Sequence, residues 1–341
     1  MTYLVTGGAG FIGSAVVRQL IAQGQRVVVL DALTYAGNLS SLASVAEEAT
    51  YTFVKGDICG TDLVLSLLHK YQVTKIMHLA AESHVDRSIS SPGDFVRTNL
   101  VGTSSMLTAA RQYFEGLALE ARQAFCFHHI STDEVFGDLG PADPAFCETT
   151  PYGPRSPYAA SKAGSDFLVD AWFHTYGLPV IITNCSNNYG AYQFPEKLIP
   201  RQLILALSSQ AIEIYGKGEN VRDWLHVEDH AQALIDVVEK GRLGERYAIG
   251  GGAERTNNQV VAALCKALDA QRPRGDGKSY SEQITYVTDR AGHDRRYAID
   301  FTKITSELGW KPSMTFEQGM AETVRWYLAH EDWWRPLWQE R

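Results

Sequence analysis

Cysteine is scarce in this sequence. Its 341 residues include five cysteines, an odd number, and no two of them are spaced as a Cys-x-x-Cys pair. A disulfide framework, a zinc site or any other metal site is therefore not expected. Unpaired cysteines are typical of a reducing compartment, so the composition favours a cytoplasmic protein.

Excess positive charge and long apolar runs are also missing. The formal net charge is −8, which gives no support for a nucleic-acid or membrane-surface partner. No apolar run reaches the ~20 residues that a transmembrane helix needs, and we expect no signal peptide. The remaining composition, 45% hydrophobic and 21% charged, is ordinary for a soluble globular enzyme of one large domain or two linked ones.

Strands and helices are predicted to alternate through the first half of the chain. Strands are predicted at residues 3–6, 26–30, 52–55, 75–79, 124–130 and 179–184. Helices are predicted at residues 11–23, 62–70, 94–114 and 157–176. This alternation predicts an α/β fold with a Rossmann-type, doubly wound parallel sheet, which binds ligands at the carboxyl ends of its strands.

The alternation breaks down after residue 184, where Gly, Asn, Pro and Tyr become frequent. Regular elements then resume, which predicts a second, smaller domain whose segments return to the first. We expect residues 1–184 and about 223–248 to form the Rossmann domain. Residues of about 185–222 and 249–341 are expected to form a discontinuous substrate-binding domain.

A glycine-rich stretch, residues 7–13, joins the first predicted strand to the first helix. Its small residues let backbone N–H groups approach a pyrophosphate, and the context of strand and helix favours cofactor binding over a purely structural turn.

Asp31 ends the second strand, where a carboxylate accepts ribose hydroxyls and repels a 2′-phosphate; this favours NAD over NADP. Asp31 as a helix cap is the alternative. Asp57 and Ile58 either contact adenine or form a turn.

Two groups of residues are candidates for proton transfer. Tyr158 and Lys162 are four residues apart at the start of a predicted helix and share one face. A lysine cation favours a phenolate, so we expect Lys162 to lower the pKa of Tyr158 and make it a base. Thr132, Asp133 and Glu134 follow a predicted strand, and two adjacent carboxyl groups can divide labour, one protonated and one ionised. The alternative for Tyr158 and Lys162 is an ordinary helix surface, and the alternative for residues 132–134 is a polar turn.

These motifs are part of a longer series that resembles the extended short-chain dehydrogenase/reductase family, and within it most closely the dTDP-glucose 4,6-dehydratases. The resemblance covers nearly the whole chain. Its stretches are residues 6–13, 31–38, 80–86, 131–137, 158–162, 184–190, 222–230 and 292–297. The Thr-Asp-Glu triplet at 132–134 is the most specific, because related epimerases usually lack both acids there.

The resemblance implies an NAD-dependent dehydration of dTDP-glucose to a 4-keto-6-deoxy sugar. The reaction oxidises C4, eliminates water across C5 and C6, and returns the hydride to C6. Tyr158 is similar to the base for the C4 hydroxyl, with Lys162 supporting it and binding the nicotinamide ribose. Thr132 is similar to the hydrogen-bond partner of the C4 oxygen, Glu134 to the base for the C5 proton, and Asp133 to the acid for the departing C6 hydroxyl.

The resemblance also implies two sets of binding residues. Those expected at the cofactor are Gly7, Gly10, Phe11, Ile12, Gly13, Asp31, Leu33, Thr34, Asp57, Ile58, Leu79, Ala80, Ala81, Ser83, Thr98, Tyr158, Lys162 and Asn188. Those expected at the nucleotide sugar are Ser83, Thr132, Glu134, Asn187, Lys197, Leu198, Glu213, Ile214, Tyr215, Arg222, Asn257, Asp289, Arg290 and His293. Arg295 and Arg296 are further candidates for the diphosphate, with surface salt bridges as the alternative.

A homodimer is expected by resemblance, through a four-helix contact of the helices that contain Asn99 and Lys162. The tryptophans near the carboxyl end are predicted to pack in a core or an interface; they are Trp326, Trp333, Trp334 and Trp338. The other functions left open are a CDP-glucose or GDP-mannose 4,6-dehydratase, a UDP-hexose 4-epimerase, and a non-catalytic NAD-sensing or RNA-binding relative. Asp133 and Glu134 count against the epimerase and against the non-catalytic relative.

Overall fold

A parallel sheet of seven strands forms the centre of the fold, in a computed structural model that describes residues 1–289 and 293–338. The strands of the described residues are β1 (Thr2–Thr6), β2 (Arg26–Asp31), β3 (Tyr51–Lys55), β4 (Lys75–His78), β5 (Cys126–Thr132), β6 (Val180–Cys185), β7 (Asn187–Tyr189), β8 (Ile212–Tyr215), β9 (Val221–His226), β10 (Arg246–Ile249), β11 (Glu254–Thr256) and β12 (Ile284–Val287). The central order is β10-β6-β5-β4-β1-β2-β3, with every neighbouring pair parallel. This confirms the predicted Rossmann-type sheet.

Helices cover both faces of this sheet. The α-helices of the described residues are α1 (Phe11–Ala22), α2 (Thr61–Tyr71), α3 (Val85–Ser90), α4 (Pro92–Phe95), α5 (Thr103–Glu115), α6 (Leu119–Ala124), α7 (Pro157–Tyr176), α8 (Leu198–Leu207), α9 (Val227–Lys240), α10 (Asn257–Gln271), α11 (Thr302–Leu308), α12 (Phe316–Ala329) and α13 (Glu331–Trp334). A π-helical turn spans Val96–Gly102, and 3₁₀ turns span Leu39–Val45, Asp133–Phe136, Tyr280–Gln283 and Arg335–Leu337.

The β-branched run in β2 shows why two cores form. Val27 and Val29 point to the face covered by α1 and α9, whereas Val28 and Leu30 point to the face covered by α2, α5 and α7. Successive side chains of a strand alternate between faces, so a continuous apolar run requires both faces to be covered. The chain adds β2 and β3 on one side of β1 and then crosses to β4 on the other side, which creates a switch point between β1 and β4.

The second half of the chain adds a smaller body with its own apolar core. It contains the sheet β11-β9-β7, the pair β12-β8 and the helices α8, α10 and α12. The predicted division into two domains stays a prediction. Ile304 and Trp310, which that division assigns to the second domain, pack in the core beside α1 and α9.

The predicted bounds of the strands and helices lie within two residues of those in the structure. Two differences matter for the site. Helix α7 has its predicted bounds, but the helix predicted at 94–114 contains the π-helical turn. There Asn99 bonds the backbone of Glu82 and the hydroxyl of Ser161. Strand β5 continues two residues beyond its predicted end, to Thr132. Within residues 1–289 and 293–338, no helix combines the length and the apolar character needed to cross a membrane.

Candidate active site

The glycine-rich turn after β1 leaves room for a phosphate group beside backbone N–H groups. Gly7 has a φ of 68°, and a Cβ there would lie 2.7 Å from the Ala80 nitrogen at the end of β4. A Cβ on Gly13 would overlap the carbonyl oxygen of Gly7. Because glycine alone fits both positions, the turn stays close to the N-terminus of α1, where helix N–H groups and the helix dipole favour an anion.

Asp31 is held in a fixed orientation at the carboxyl end of β2. Its two carboxylate oxygens accept hydrogen bonds from the Ala9 nitrogen at 3.0 Å and the Leu33 nitrogen at 2.8 Å. Burial raises the pKa of Asp31, and these two hydrogen bonds oppose that rise. Each carboxylate oxygen keeps a second lone pair, so the side chain can still accept ribose hydroxyls.

The paired acids start a 3₁₀ turn directly after β5. Thr132 caps this turn: its hydroxyl accepts from the Glu134 nitrogen at 3.3 Å and donates to Asp133 Oδ1 at 3.3 Å. Asp133 is buried, and among the described residues its Oδ2 has no hydrogen-bond partner. Burial raises the pKa of Asp133 well above its ordinary value, and the Glu134 carboxylate acts in the same direction. Burial therefore favours the protonated form of Asp133, which is the form that a proton donor needs.

Tyr158 and Lys162 lie on the first turns of α7, which Ser156 caps through its hydroxyl. Lys162 is buried and donates to the carbonyl oxygen of Ile130 at 2.8 Å, and burial lowers its pKa. The expectation that the pKa of Tyr158 is lowered is wrong for the free protein. Burial raises it well above its ordinary value and the Glu134 carboxylate acts in the same direction, whereas the hydrogen bond with Thr132 opposes the rise.

These groups line two adjoining cavities that share several lining residues. The first, about 370 Å³, runs from the glycine-rich turn to the catalytic candidates. The second, about 760 Å³, lies on the side of the smaller body. Residues that line both are Tyr35, Ser83, Glu134, Asn187, Phe194, Glu196 and Lys197. Glu134 thus stands where the two cavities join, and Thr132, Asp133, Tyr158 and Lys162 line the first.

Most of the expected binding residues line the cavity to which they were assigned. The first cavity is lined by Gly7, Gly10, Phe11, Ile12, Gly13, Asp31, Thr34, Asp57, Ile58, Leu79, Ala80, Ala81, Ser83, Thr98, Tyr158, Lys162 and Asn188. The second is lined by Ser83, Glu134, Asn187, Lys197, Leu198, Tyr215, Arg222, Asn257 and His293. Thr132, expected at the sugar, lines the first cavity only.

A few expected residues are placed elsewhere. Leu33 packs against the core beside α1, and Ile214 is buried in the core of the smaller body. Glu213 forms an ion pair with Arg201 at 2.7 Å, and Arg296 forms a bidentate pair with Glu254 at 2.7 and 2.9 Å. Arg296, a further candidate for the diphosphate, lines neither cavity. Neither cavity is lined by Asp289, whose carboxylate lies 2.7 Å from His293 Nδ1, and Arg290 lies outside the described residues.

Several residues at the cavities were missed by sequence reasoning. Arg87 stacks on the ring of Tyr35 at 3.8 Å, and His84 lies 3.5 Å from Glu196; all four line the second cavity. Trp338 was predicted to pack, and it does pack against the smaller body's core, but it also lines the second cavity. No periodicity identifies such residues, because short-range patterns do not show which segments reach the cavities in the folded chain.

The arrangement joins a dinucleotide cradle to a set of proton donors and acceptors. Thr132, Asp133, Glu134 and Tyr158 all line the first cavity. A buried protonated acid beside an acid at the cavity junction can serve as donor and acceptor in an elimination. The fold and the site thus define a Rossmann-type enzyme that couples a dinucleotide to acid–base chemistry.

Comparison with known proteins identifies the family. The family model described as GDP-mannose 4,6 dehydratase matches residues 4–323. A dTDP-glucose 4,6-dehydratase of Xanthomonas campestris pv. campestris (strain B100) is 58% identical over 332 residues, 97% of this chain and 94% of the relative. The solved structure of DesIV, a dTDP-glucose 4,6-dehydratase from Streptomyces venezuelae with NAD bound, is 44% identical, with a TM-score of 0.90 and coverage of 99% of this chain and 100% of its own.

An epimerase is similar in fold but more distant in sequence. The UDP-glucose 4-epimerase of Thermotoga maritima has a TM-score of 0.85 and 29% identity, covering 96% of this chain and 99% of its own. The chain belongs to the nucleotide-sugar 4,6-dehydratases and, within them, to the dTDP-glucose 4,6-dehydratase family.

Replacing Gly13 with alanine is expected to weaken NAD⁺ binding at least tenfold, because the added methyl group forces the turn away from the helix N-terminus. Isothermal titration calorimetry on protein freed of endogenous nucleotide measures the affinity. Gly275→Ala is the matched control, since a Cβ at Gly275 meets nothing within 4 Å. Equal affinities for the two variants would contradict the assigned cradle.

Proposed function

We propose that this chain is an NAD-dependent hydro-lyase that converts dTDP-glucose to dTDP-4-keto-6-deoxyglucose. The observation that carries the proposal is the convergence of Asp133, Glu134, Tyr158 and Lys162 on one cavity that starts at a dinucleotide cradle. The family supports the same reaction. A UDP-hexose 4-epimerase needs no acid–base pair for elimination, and a non-catalytic relative gains nothing from a buried protonated Asp133.

The first cavity fits a dinucleotide of the NAD type. Glycines 7 and 13 leave space that any Cβ would fill, and Asp31 presents a buried carboxylate where a 2′-phosphate would be repelled. When bound, NAD⁺ supplies the hydride acceptor for C4, the hydride donor for C6 and a positive charge beside Tyr158. Lys162, four residues after Tyr158 on α7, supplies a second positive charge.

Three side chains move protons in the proposed mechanism. Tyr158 takes the proton of the C4 hydroxyl. Thr132, which is a hydrogen-bond partner of Tyr158, holds the C4 oxygen. The C4 ketone acidifies the neighbouring C5–H, and Glu134 removes that proton. Asp133, protonated because it is buried, gives its proton to the C6 oxygen as water leaves. As the hydride returns to C6, the protonated Glu134 gives a proton back to C5, and the proton taken up at Tyr158 replaces the one that Asp133 gave to the leaving water. The reaction therefore balances as the loss of one water molecule, with no net oxidation.

The second cavity is proposed to hold the nucleoside diphosphate. Arg222 is buried there, donating to the carbonyl oxygens of Val221 and Asp294 and lying 4.3 Å from the ring of Tyr297. Lys197 reaches the carbonyl oxygen of Ser83 at 3.4 Å, next to the cavity junction. Two cationic side chains at one end of a large cavity provide the charge that a diphosphate needs.

We propose a cytoplasmic homodimer. None of the five cysteines, all of them within the described residues, forms a disulfide. Apolar side chains are exposed on adjoining helices: Val96 and Val101 on the π-helical turn, which packs on α7, and Phe167 on α7 itself, 59% exposed. A second copy would cover these side chains through a contact of four helices, two from each subunit.

Incubation with dTDP-glucose in D₂O tests the reaction directly. We expect a 4-keto-6-deoxy product that carries deuterium at C5, because Glu134 exchanges its proton with solvent before the hydride returns to C6. NMR identifies the product, and NADH absorbance should not accumulate. Recovery of unchanged dTDP-glucose would reject the proposal, and formation of dTDP-galactose would make the protein an epimerase.

Glu134→Gln is expected to lower kcat by about 10²–10⁴-fold, the usual contribution of a general acid or base. The C4 oxidation that precedes elimination should survive, so NADH absorbance should appear on mixing while deuterium incorporation at C5 is lost. Glu47→Gln, the same change at an exposed position, is the control and should behave as wild type. Wild-type turnover by Glu134→Gln would remove this residue from the mechanism.

Phe167→Glu is expected to separate the homodimer into monomers, since it places a charge on the exposed apolar face. Analytical ultracentrifugation of the full chain measures the mass in solution. Leu119→Glu alters a side chain on α6 that is 69% exposed and outside this face, so this variant should stay dimeric. A wild-type protein that sediments as a monomer would refute the proposed assembly.

A further inference from the structure

Tyr192 adopts a backbone conformation that residues other than glycine rarely occupy. Its φ is 65°, in the left-handed region. It lies in the segment between β7 and α8, and its side chain is partly buried against the core of the smaller body. A conformation of this kind persists only where the surrounding structure fixes it, and such residues cluster near functional sites. The side-chain contacts of Tyr192 therefore have to hold it in place.

Arg18 on α1 stacks on the ring of Tyr192. Its guanidinium carbon lies 4.4 Å from the centre of that ring. Two of its nitrogens are engaged elsewhere, since Nη1 donates to the carbonyl oxygen of Ser41 at 3.0 Å and Nη2 donates to Glu228 Oε1 at 3.2 Å. The N–H groups of a guanidinium lie in its plane, so these two bonds fix its orientation and leave a flat face for the ring.

Two tryptophans of the smaller body contact the same ring. The centres of the Tyr192 and Trp326 rings are 4.4 Å apart, and Trp333 meets Tyr192 edge-on at 5.5 Å. The following residue is also held from α12, because the hydroxyl of Tyr327 donates to the carbonyl oxygen of Gln193. The ring of Tyr192 thus joins α1, which starts at the dinucleotide turn, to the core of the smaller body.

The next part of the chain, residues 193–197, forms a wall at the junction of the two cavities. Each of its five residues lines at least one of them. Lys197 Nζ donates to the carbonyl oxygen of Ser83 at 3.4 Å, and Phe194 meets the ring of Tyr35 edge-on at 5.6 Å. A shift of this segment would therefore move side chains of both cavities, including a cation proposed to bind the diphosphate.

We propose that Tyr192 is a positioning residue: its ring, held by Arg18 and by the two tryptophans, fixes residues 193–197 and so places Lys197 for the diphosphate of the substrate. This inference rests on the proposed function. Tyr192 itself lines neither cavity, so it acts through the segment that it holds. Its contacts with two separate parts of the fold keep that segment in register with the dinucleotide cradle.

Tyr192→Ala removes the ring and tests the inference in the full-length protein with dTDP-glucose. Part of the binding free energy must then order the segment, so KM for dTDP-glucose should rise about tenfold. The glycine-rich turn is unchanged, so the affinity for NAD⁺ and the kcat at saturating substrate should stay within about threefold of wild type. A purely structural role would lower thermal stability and the active fraction, and hence kcat, without moving KM.

Tyr192→Phe is the matched control. It keeps the ring and its contacts with Arg18 and Trp326, so KM should stay within about twofold of wild type. Calorimetric titration with dTDP, which carries the diphosphate, makes the same comparison without turnover. A folded Tyr192→Ala variant that binds dTDP as tightly as wild type overturns the inference. A wild-type protein that binds dTDP but has no dehydratase activity would instead overturn the proposed function, so the two failures are distinct.

Arg18→Gln approaches the same contact from α1 and keeps the inference testable if Tyr192→Ala does not fold. It removes the stacked cation, so KM should rise in the same direction by a smaller factor. Glu228→Gln is its control and should keep the wild-type KM, because it removes the ion pair at 3.2 Å but not the guanidinium group. An unmoved KM in a folded Arg18→Gln variant also overturns the inference.

The double variant Arg18→Gln/Tyr192→Ala shows whether the two side chains act through one contact. If they do, its KM should equal that of Tyr192→Ala alone, because the cation has no ring left to hold. A KM that rises by the product of the two single effects would mean that the side chains act independently, which overturns the role proposed for the contact.

Discussion

The parallel register of β5 against β6 is the constraint on which the active site depends. Thr132 pairs with Cys185, and Ser131 pairs with Asn184, so both strands end at one level. Successive side chains of a strand point to opposite faces, and a slip of one residue would turn Thr132 from the cavity into the core. The 3₁₀ turn that carries Asp133 and Glu134 starts from that strand end, and its position therefore follows the register.

Burial then sets the chemistry of the groups that this register brings together. Burial raises the pKa of Asp133 and lowers that of Lys162, because a low-dielectric site disfavours every charged form. Ion pairs and hydrogen bonds decide which groups stay charged against that tendency. Two ordered backbone N–H groups act in this way on Asp31.

Local patterns were sufficient for the elements of the first half of the chain, and the family resemblance supplied most of the residues expected at the cavities. The bounds of α7 followed from Pro157 at its start and the Gly177 cap at its end, both short-range signals. Arg296 could not be judged in the same way, since its partner Glu254 is distant in the sequence. Trp338 was assigned to packing alone, because nothing in its neighbourhood shows that a chain end reaches the second cavity.

The pKa of Tyr158 marks the limit of sequence reasoning about chemistry. Spacing alone places Lys162 on the same helix face and predicts a lowered pKa, but spacing contains no information about solvent. In the folded chain Tyr158 is buried near Glu134, and desolvation reverses the direction. The sequence by itself determined the fold class and the dinucleotide turn, because these depend on local periodicity and residue type, and its resemblance to a family supplied the candidate catalytic groups. Only the tertiary structure decided which charges share a buried volume, because that depends on contacts between segments far apart in the chain.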